Sequence, residues 1–166
     1  GDVYKRQGFI GCGHMAKALI QGLKSNKSYE LFGHDRNSKN LAWLEQEKIP
    51  FCSLKEICQD SDILMICVKP KDMYDLCSEM RTYIGNELKI VSVAAGITLE
   101  NLKDALSRGK VYRAMPNIGA KHNLGITSIF SYEELNEIID IFNYLGKAIV
   151  VEDEDKINLH TSLIGL

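Results

Sequence analysis

No stretch of the 166-residue sequence approaches the roughly 18 to 20 consecutive apolar residues of a membrane-spanning helix. The start also lacks the basic-then-apolar order of a secretory signal. A soluble, cytoplasmic protein without a membrane role is therefore expected. An excess of either charge is missing too: 20 Lys and Arg against 22 Asp and Glu leave a formal charge of -2 and a pI near 6.1. That balance gives no electrostatic footprint for nucleic acid. The five cysteines, Cys12, Cys52, Cys58, Cys67 and Cys77, are odd in number and form no C-x-x-C pair. Neither a metal site nor a disulfide framework is indicated, and small buried hydrophobes in a reducing compartment are expected. Cys12 stands apart, because a thiol at a helix N-terminus is a candidate for acidification. There is no internal repeat, no low-complexity segment and no initiator Met.

What is present is organised around Gly8-Phe9-Ile10-Gly11-Cys12-Gly13-His14-Met15-Ala16. An apolar, strand-like entry leads through a Gly-x-Gly-x-x-Ala turn into a run with Met15, Ala18, Leu19, Gly22 and Leu23 at helical spacing. Each small residue has its own task. Gly11 permits the tight turn, Gly13 lets the backbone approach a pyrophosphate, and Ala16 lets the helix pack closely on the strand. Unpaired N–H groups at the helix start then face the anion. Such a motif alone is weak evidence, so the rest of the chain must decide.

Lys5-Arg6-Gln7 stands where a buried parallel strand should be apolar. A short first strand with a weak edge is expected, and residues 1–7 look foreign to the pattern. Tyr29 to Gly33 reads as the second strand and runs into His34-Asp35-Arg36-Asn37-Ser38-Lys39. Asp35 lies about 20 residues beyond the glycines, where an acid accepts hydrogen bonds from an adenosine ribose. Arg36, Ser38 and Lys39 beside it suit a 2′-phosphate. NAD and NADP therefore both remain open, as does a plainer reading in which Asp35 caps the next helix and Arg36 and Lys39 are solvated.

A helix with Leu41, Trp43 and Leu44 follows, then a short strand Ile49 to Cys52, and a capping box Ser53-Leu54-Lys55-Glu56 opens a brief helix. Asp62 to Val68 is the clearest buried strand, and it stops at Lys69-Pro70 because Pro cannot continue a central strand. Val68, Lys69 and Pro70 thus fall at a strand's C-terminal end, the side where open parallel sheets bind ligands. The pattern repeats: a helix around Met73 to Tyr83, a strand Lys89 to Ala94, a loop Ala95-Gly96-Ile97, and a helix Thr98 to Leu106. A strand Val111 to Met115 again ends in Pro116, and Gly125 to Phe130 is a further strand. Ser131 to Glu134 caps a helix with Leu135, Ile138, Ile139, Phe142 and Leu145 on one face, which Gly146 ends before a last strand Lys147 to Val151. Strands alternating with helices predict an α/β fold, a Rossmann-like doubly wound, mostly parallel sheet. Residues 1–152 form that domain. Residues 153–166 read as the first helix of a second, helical domain, with Ile157, Leu159, Leu163 and Ile164 left to be covered or, if exposed, to drive self-association.

Four blocks together, Gly8 to Ala16, Val68-Lys69-Pro70, Ser92-Val93-Ala94-Ala95-Gly96-Ile97-Thr98 and Arg113-Ala114-Met115-Pro116-Asn117, resemble the N-terminal domain of the pyrroline-5-carboxylate reductase family. They occur in that family's order and at about its spacing, and the last block is far more specific than the glycine motif. The resemblance covers essentially residues 8–166. It implies the last step of proline biosynthesis, in which NADPH or NADH reduces a small cyclic imino acid to proline. It further implies that Gly11, Cys12, Gly13, His14, Met15 and Ala16 hold the pyrophosphate. Asn37 and Ser38, with the adjoining basic residues, would lie by the adenosine ribose, and Val68, Lys69 and Pro70 would border the nucleotide. Ala94, Ala95 and Gly96, with Met115, Pro116 and Asn117, would line the nicotinamide side, although Met115 to Asn117 also reads as a plain strand-ending turn.

Two departures carry consequences. The family commonly has Asn where this chain has His14, a residue that can still donate to a phosphate unless it is only a capping or solvated one. The family's second domain, with its Gly-Ser-Gly-Pro-Ala-Tyr segment, substrate carboxylate site and dimer interface, has no counterpart in the 166 residues. Homo-oligomerisation is implied through that domain. No residue stands out as the proton donor: His122 follows Asn117 on the expected nicotinamide side but reads more simply as a loop residue, and His34 and His160 have less to recommend them. This chain is expected to bind nucleotide with little turnover. Other dehydrogenases of the same fold, or a nucleotide-sensing module without catalysis, are the alternatives.

Overall fold

A computed structural model describes residues 4–118 and 124–158 of the chain. Seven strands, β1 (Lys5–Ile10), β2 (Tyr29–His34), β3 (Ile63–Ile66), β4 (Lys89–Ser92), β5 (Lys110–Ile118), β6 (Leu124–Phe130) and β7 (Lys147–Val150), form one sheet in the order β2-β1-β3-β4-β5-β6-β7. Among the described residues six α-helices cover it: α1 (His14–Leu23), α2 (Ser38–Gln46), α3 (Leu54–Asp60), α4 (Met73–Met80), α5 (Leu99–Leu106) and α6 (Asn136–Leu145). The fold is Rossmann-like, doubly wound α/β.

The first five strands in this order of chain run parallel, and the apolar runs of β3 and β4 are buried on both faces, as parallel strands must be. On one face Phe9, Met65, Val91 and Tyr112 pack with Leu19, Leu23, Ile138 and Phe142 of α1 and α6. On the other, Ile10, Leu64, Ile66 and Ile90 pack with Ile57, Met73, Leu76 and Leu102 of α3, α4 and α5. β6 runs antiparallel to β5, because the connection 119–123 is hairpin-sized and too short for a parallel crossover. β7 then lies parallel to β6.

Several local expectations are corrected. β1 is not shortened: Lys5, Arg6 and Gln7 pair in register with Tyr29, Glu30 and Leu31. The long cations are tolerated because their charged ends find partners at the surface. Lys5 Nζ lies 3.5 Å from Glu137, and the Arg6 guanidinium stacks 4.9 Å from the Phe32 ring centre and 3.8 Å from Glu30. Gln7 is fully buried, and its carboxamide has no hydrogen-bond partner among the described residues. Ile49 to Cys52 forms no strand, only a single bridge between Phe51 and Gly33. Pro116 does not end β5. β4 ceases to flank the strand after Arg113, so beyond it β5 has one hydrogen-bonded neighbour and accepts Pro116 opposite Thr127, with an irregularity before Ile118.

The cap expected at Ser131 is likewise absent. Its Oγ donates to the Val111 carbonyl at 2.6 Å and accepts from the Glu133 N–H, and α6 starts only at Asn136, whose N–H donates to Glu134. The capping box at Ser53 and Glu56 is present as expected. Ile157 is buried in the core rather than left uncovered, after a short turn of 3-10 helix at Glu154–Lys156. Leu159, His160, Leu163 and Ile164 lie outside the described residues.

Candidate functional site

After β1 the chain turns to β2 on one side and returns through β3 on the other, which leaves a crevice at the C-terminal ends of β1 and β3. Gly11 makes the turn there with φ +81°, its N–H donating to the His34 carbonyl at 2.9 Å. A Cβ on Gly11 would stand 2.9 Å from Val68 Cγ1 and 3.0 Å from the Val68 nitrogen. Only glycine lets this loop lie against the end of β3.

Gly13 is different. Its φ is -81° and a Cβ would meet nothing within 4 Å. It precedes α1, whose start has no side-chain cap and no acidic residue in its first turn. An uncapped helix start beside open space fits an anionic group held by backbone N–H donors. Behind it Ala16 is fully buried, allowing α1 to sit close to the sheet, and His14 is exposed at the first helical position.

Asp35, just past β2, braces this turn. One carboxylate oxygen accepts from the Cys12 N–H at 2.7 Å and the Asn40 amide at 2.8 Å, and the other accepts from the Asn37 N–H at 2.9 Å. Burial pushes the carboxyl up, but the hydrogen bonds from Asn37, Cys12, Asn40 and Arg36 outweigh it and hold Asp35 below the usual aspartate range. The cap of α2 is Asn37, whose side-chain oxygen accepts from the N–H groups of Lys39 and Asn40, and not Asp35.

Cys12 is not acidified. Its sulfur is buried, 3.7 Å and 3.6 Å from the carbonyl oxygens of Phe9 and His34, and burial together with the Asp35 charge pushes the thiol up to about 12. The helix start acts on its backbone, while its side chain belongs to the core.

The crevice opens into a cavity of about 450 Å³. One wall is Gly11, His34, Asp35, Arg36 and Asn37, and the other is Val68 with Asp72, Asp75, Leu76 and Glu79 around α4. His34 is fixed by a 2.9 Å contact of Nδ1 with the Cys52 carbonyl. Arg36 is 80% exposed and reaches across to Glu79. Ser38 and Lys39 lie exposed at the start of α2, and Lys69 and Pro70 lie exposed between β3 and α4.

The remaining expected residues are outside this cavity but on the same edge of the sheet. Ala94 is buried, and Ala95 and Gly96 are exposed just beyond β4, two strands from β1. Gly96 has φ +79° and open space about it. Met115, Pro116 and Asn117 occupy the far end of β5, three strands from β1. Arg113, almost fully buried on the same strand, donates to Glu154 at 2.8 Å, and the same carboxylate oxygen accepts the Leu99 N–H at 2.7 Å. His122 lies outside the described residues.

The sequence reasoning missed the α4 wall. Its signal was the spacing of Asp72, Asp75, Leu76 and Glu79, three and four residues apart and so on one helix face. It also missed Glu154, which becomes relevant only through its distant partner Arg113.

An open, mostly parallel sheet with a glycine turn, a bare helix start and a braced acid after β2 defines a nucleotide-binding type of α/β domain. The model of the family described as NADP oxidoreductase, coenzyme F420-dependent, matches residues 6–96, and the chain belongs to that family. Among curated proteins it is 34% identical over 160 residues to the pyrroline-5-carboxylate reductase of Escherichia coli, covering 90% of this chain and 60% of that protein. Among solved structures it overlays a pyrroline-5-carboxylate reductase from Coxiella burnetii with a TM-score of 0.86 at 24% identity, covering 95% of this chain and 62% of the other. It also overlays the pyrroline carboxylate reductase of Plasmodium falciparum with NADP bound, with a TM-score of 0.83 at 21% identity, covering 99% and 64%. The chain thus spans about 60% of the length of the curated relatives it matches.

Proposed function

We propose that residues 1–152 are the dinucleotide-binding part of an enzyme that reduces 1-pyrroline-5-carboxylate to L-proline, and that residues 153–166 open its second, helical domain. The observation that carries the binding half is the pair formed by Gly11 and Gly13. One glycine is forced by the fold, whereas the other faces open space at a helix start, where a side chain would obstruct only a ligand. The substrate rests on the similarity to the reductase of Escherichia coli over 90% of this chain.

A nicotinamide cofactor held here would supply the hydride for reduction of an imine carbon, the imine nitrogen carrying the proton that balances it. The chain's own residues bind and orient. The N–H groups at the start of α1 hold the pyrophosphate, and Asp35 keeps that loop in shape. Asn37, Ser38 and Lys39 with Arg36 meet the adenosine ribose, and Val68, Lys69 and Pro70 border it. Ala94 to Gly96 and Met115 to Asn117 lie toward the nicotinamide, where orientation and exclusion of water lower the barrier. NADPH is favoured over NADH, because Asp35 already accepts three hydrogen bonds within the protein while cationic side chains flank the ribose position. The family's description names NADP as well.

Calorimetric titration of this chain with NADPH and NADH tests the binding half, with NADPH expected to be the tighter. Absence of binding by either overturns it. Imine-dependent NADPH oxidation by the full-length protein, and little by this chain, is expected for the catalytic half. A full-length protein that binds nucleotide but does not turn over the imine would instead be a nucleotide-sensing module.

A further inference from the structure

The cavity wall facing Arg36 is acidic. Asp72, Asp75 and Glu79 all border the space into which Arg36 projects, and Arg36 Nη2 contacts both Glu79 carboxylate oxygens, at 3.1 and 3.3 Å. Arg36 is therefore a cation already committed across the mouth of the cleft. A 2′-phosphate, close to doubly charged, has to draw the guanidinium away from Glu79 and come to rest opposite three carboxylates. A ribose with a free 2′-hydroxyl carries no such charge and leaves the ion pair intact.

We infer that Glu79 is a specificity-determining residue that competes with a 2′-phosphate for Arg36, so that this cleft separates NADPH from NADH less sharply than Arg36 alone would. This rests on the dinucleotide-binding reading. The effect is set by an exposed pair, with Arg36 and Glu79 side chains 80% and 50% accessible, so it is modest and salt-dependent.

The test measures dissociation constants for NADPH and NADH with the unaltered chain and with Glu79→Gln, Glu79→Ala, Arg36→Gln and the double variant Arg36→Gln/Glu79→Gln. Both Glu79 variants are expected to tighten NADPH about three- to fivefold and to leave NADH within about twofold. The gain shrinks at about 0.5 M salt and vanishes in the Arg36→Gln background. Equal shifts for the two nucleotides, no shift, or a gain that persists without Arg36 overturns the competition while leaving the nucleotide site standing. No binding of either nucleotide by any of the proteins overturns the site and the inference together. The exposed position of Glu79 keeps the fold out of the result.

Discussion

The two glycines of the turn answer different demands, and substitution separates them. Gly11→Ala places a Cβ against Val68 at φ +81°, and a loss of about 1 to 3 kcal/mol is expected in urea denaturation. Gly13→Ala meets nothing in the fold, so the loss of stability should be about 1 kcal/mol or less, the difference between Gly and Ala at a helix N-cap. Nucleotide affinity should nevertheless fall at least tenfold, because the methyl fills the approach to the pyrophosphate. Equal affinity in Gly13→Ala and the unaltered chain would remove the anion from that position. Asp35 adds a pH dependence of known sign. Its folded carboxyl titrates below the ordinary value, so the bracing is complete above about pH 4 and is lost as pH falls through the lower, folded value. The Cys12 amide resonance is expected to follow that acidic limb in NMR, and Asp35→Asn to abolish it.

At the scale of the element, β1 contains an unmet demand. Gln7 is fully buried with both carboxamide atoms unpartnered among the described residues, and an unsatisfied buried polar group costs about 1 to 3 kcal/mol. Gln7→Met, close in volume, is expected to raise the denaturation midpoint by an amount worth about 1 kcal/mol or more. An unchanged or lowered midpoint would show that Gln7 is satisfied in solution. The same strand shows where the sequence was legible and where it was not. β3 announced itself by an unbroken apolar run, β4 by its place in the alternation of strands and helices, and the turn at Gly11 by its small residues. The first half of β1 was hidden because Lys5 and Arg6 are accommodated by Glu137, Glu30 and Phe32, partners that no local pattern reveals. Pro116 and Ser131 misled for a related reason. Each obeys a local rule, but the loss of a flanking strand and the carbonyl of Val111 decide its role.

At the scale of the whole molecule, Glu154 joins three parts distant in sequence: β5 through Arg113, the start of α5 through Leu99, and the segment after β7 that carries it. Arg113 is almost fully buried, so removal of its counter-ion leaves a charge without compensation. Glu154→Ala is expected to cost about 3 to 5 kcal/mol, and Glu154→Gln less because the amide oxygen can still accept. A surface-like loss below about 1 kcal/mol would mean that the pair is water-screened in solution. The Leu99 N–H sits in the first turn of a helix, where amides ordinarily exchange with solvent within moments because no carbonyl precedes them. Here its acceptor is held by the core, so deuterium uptake at this one helix-start amide is expected to be slow and to report on the junction between the sheet's ligand edge and the segment after β7.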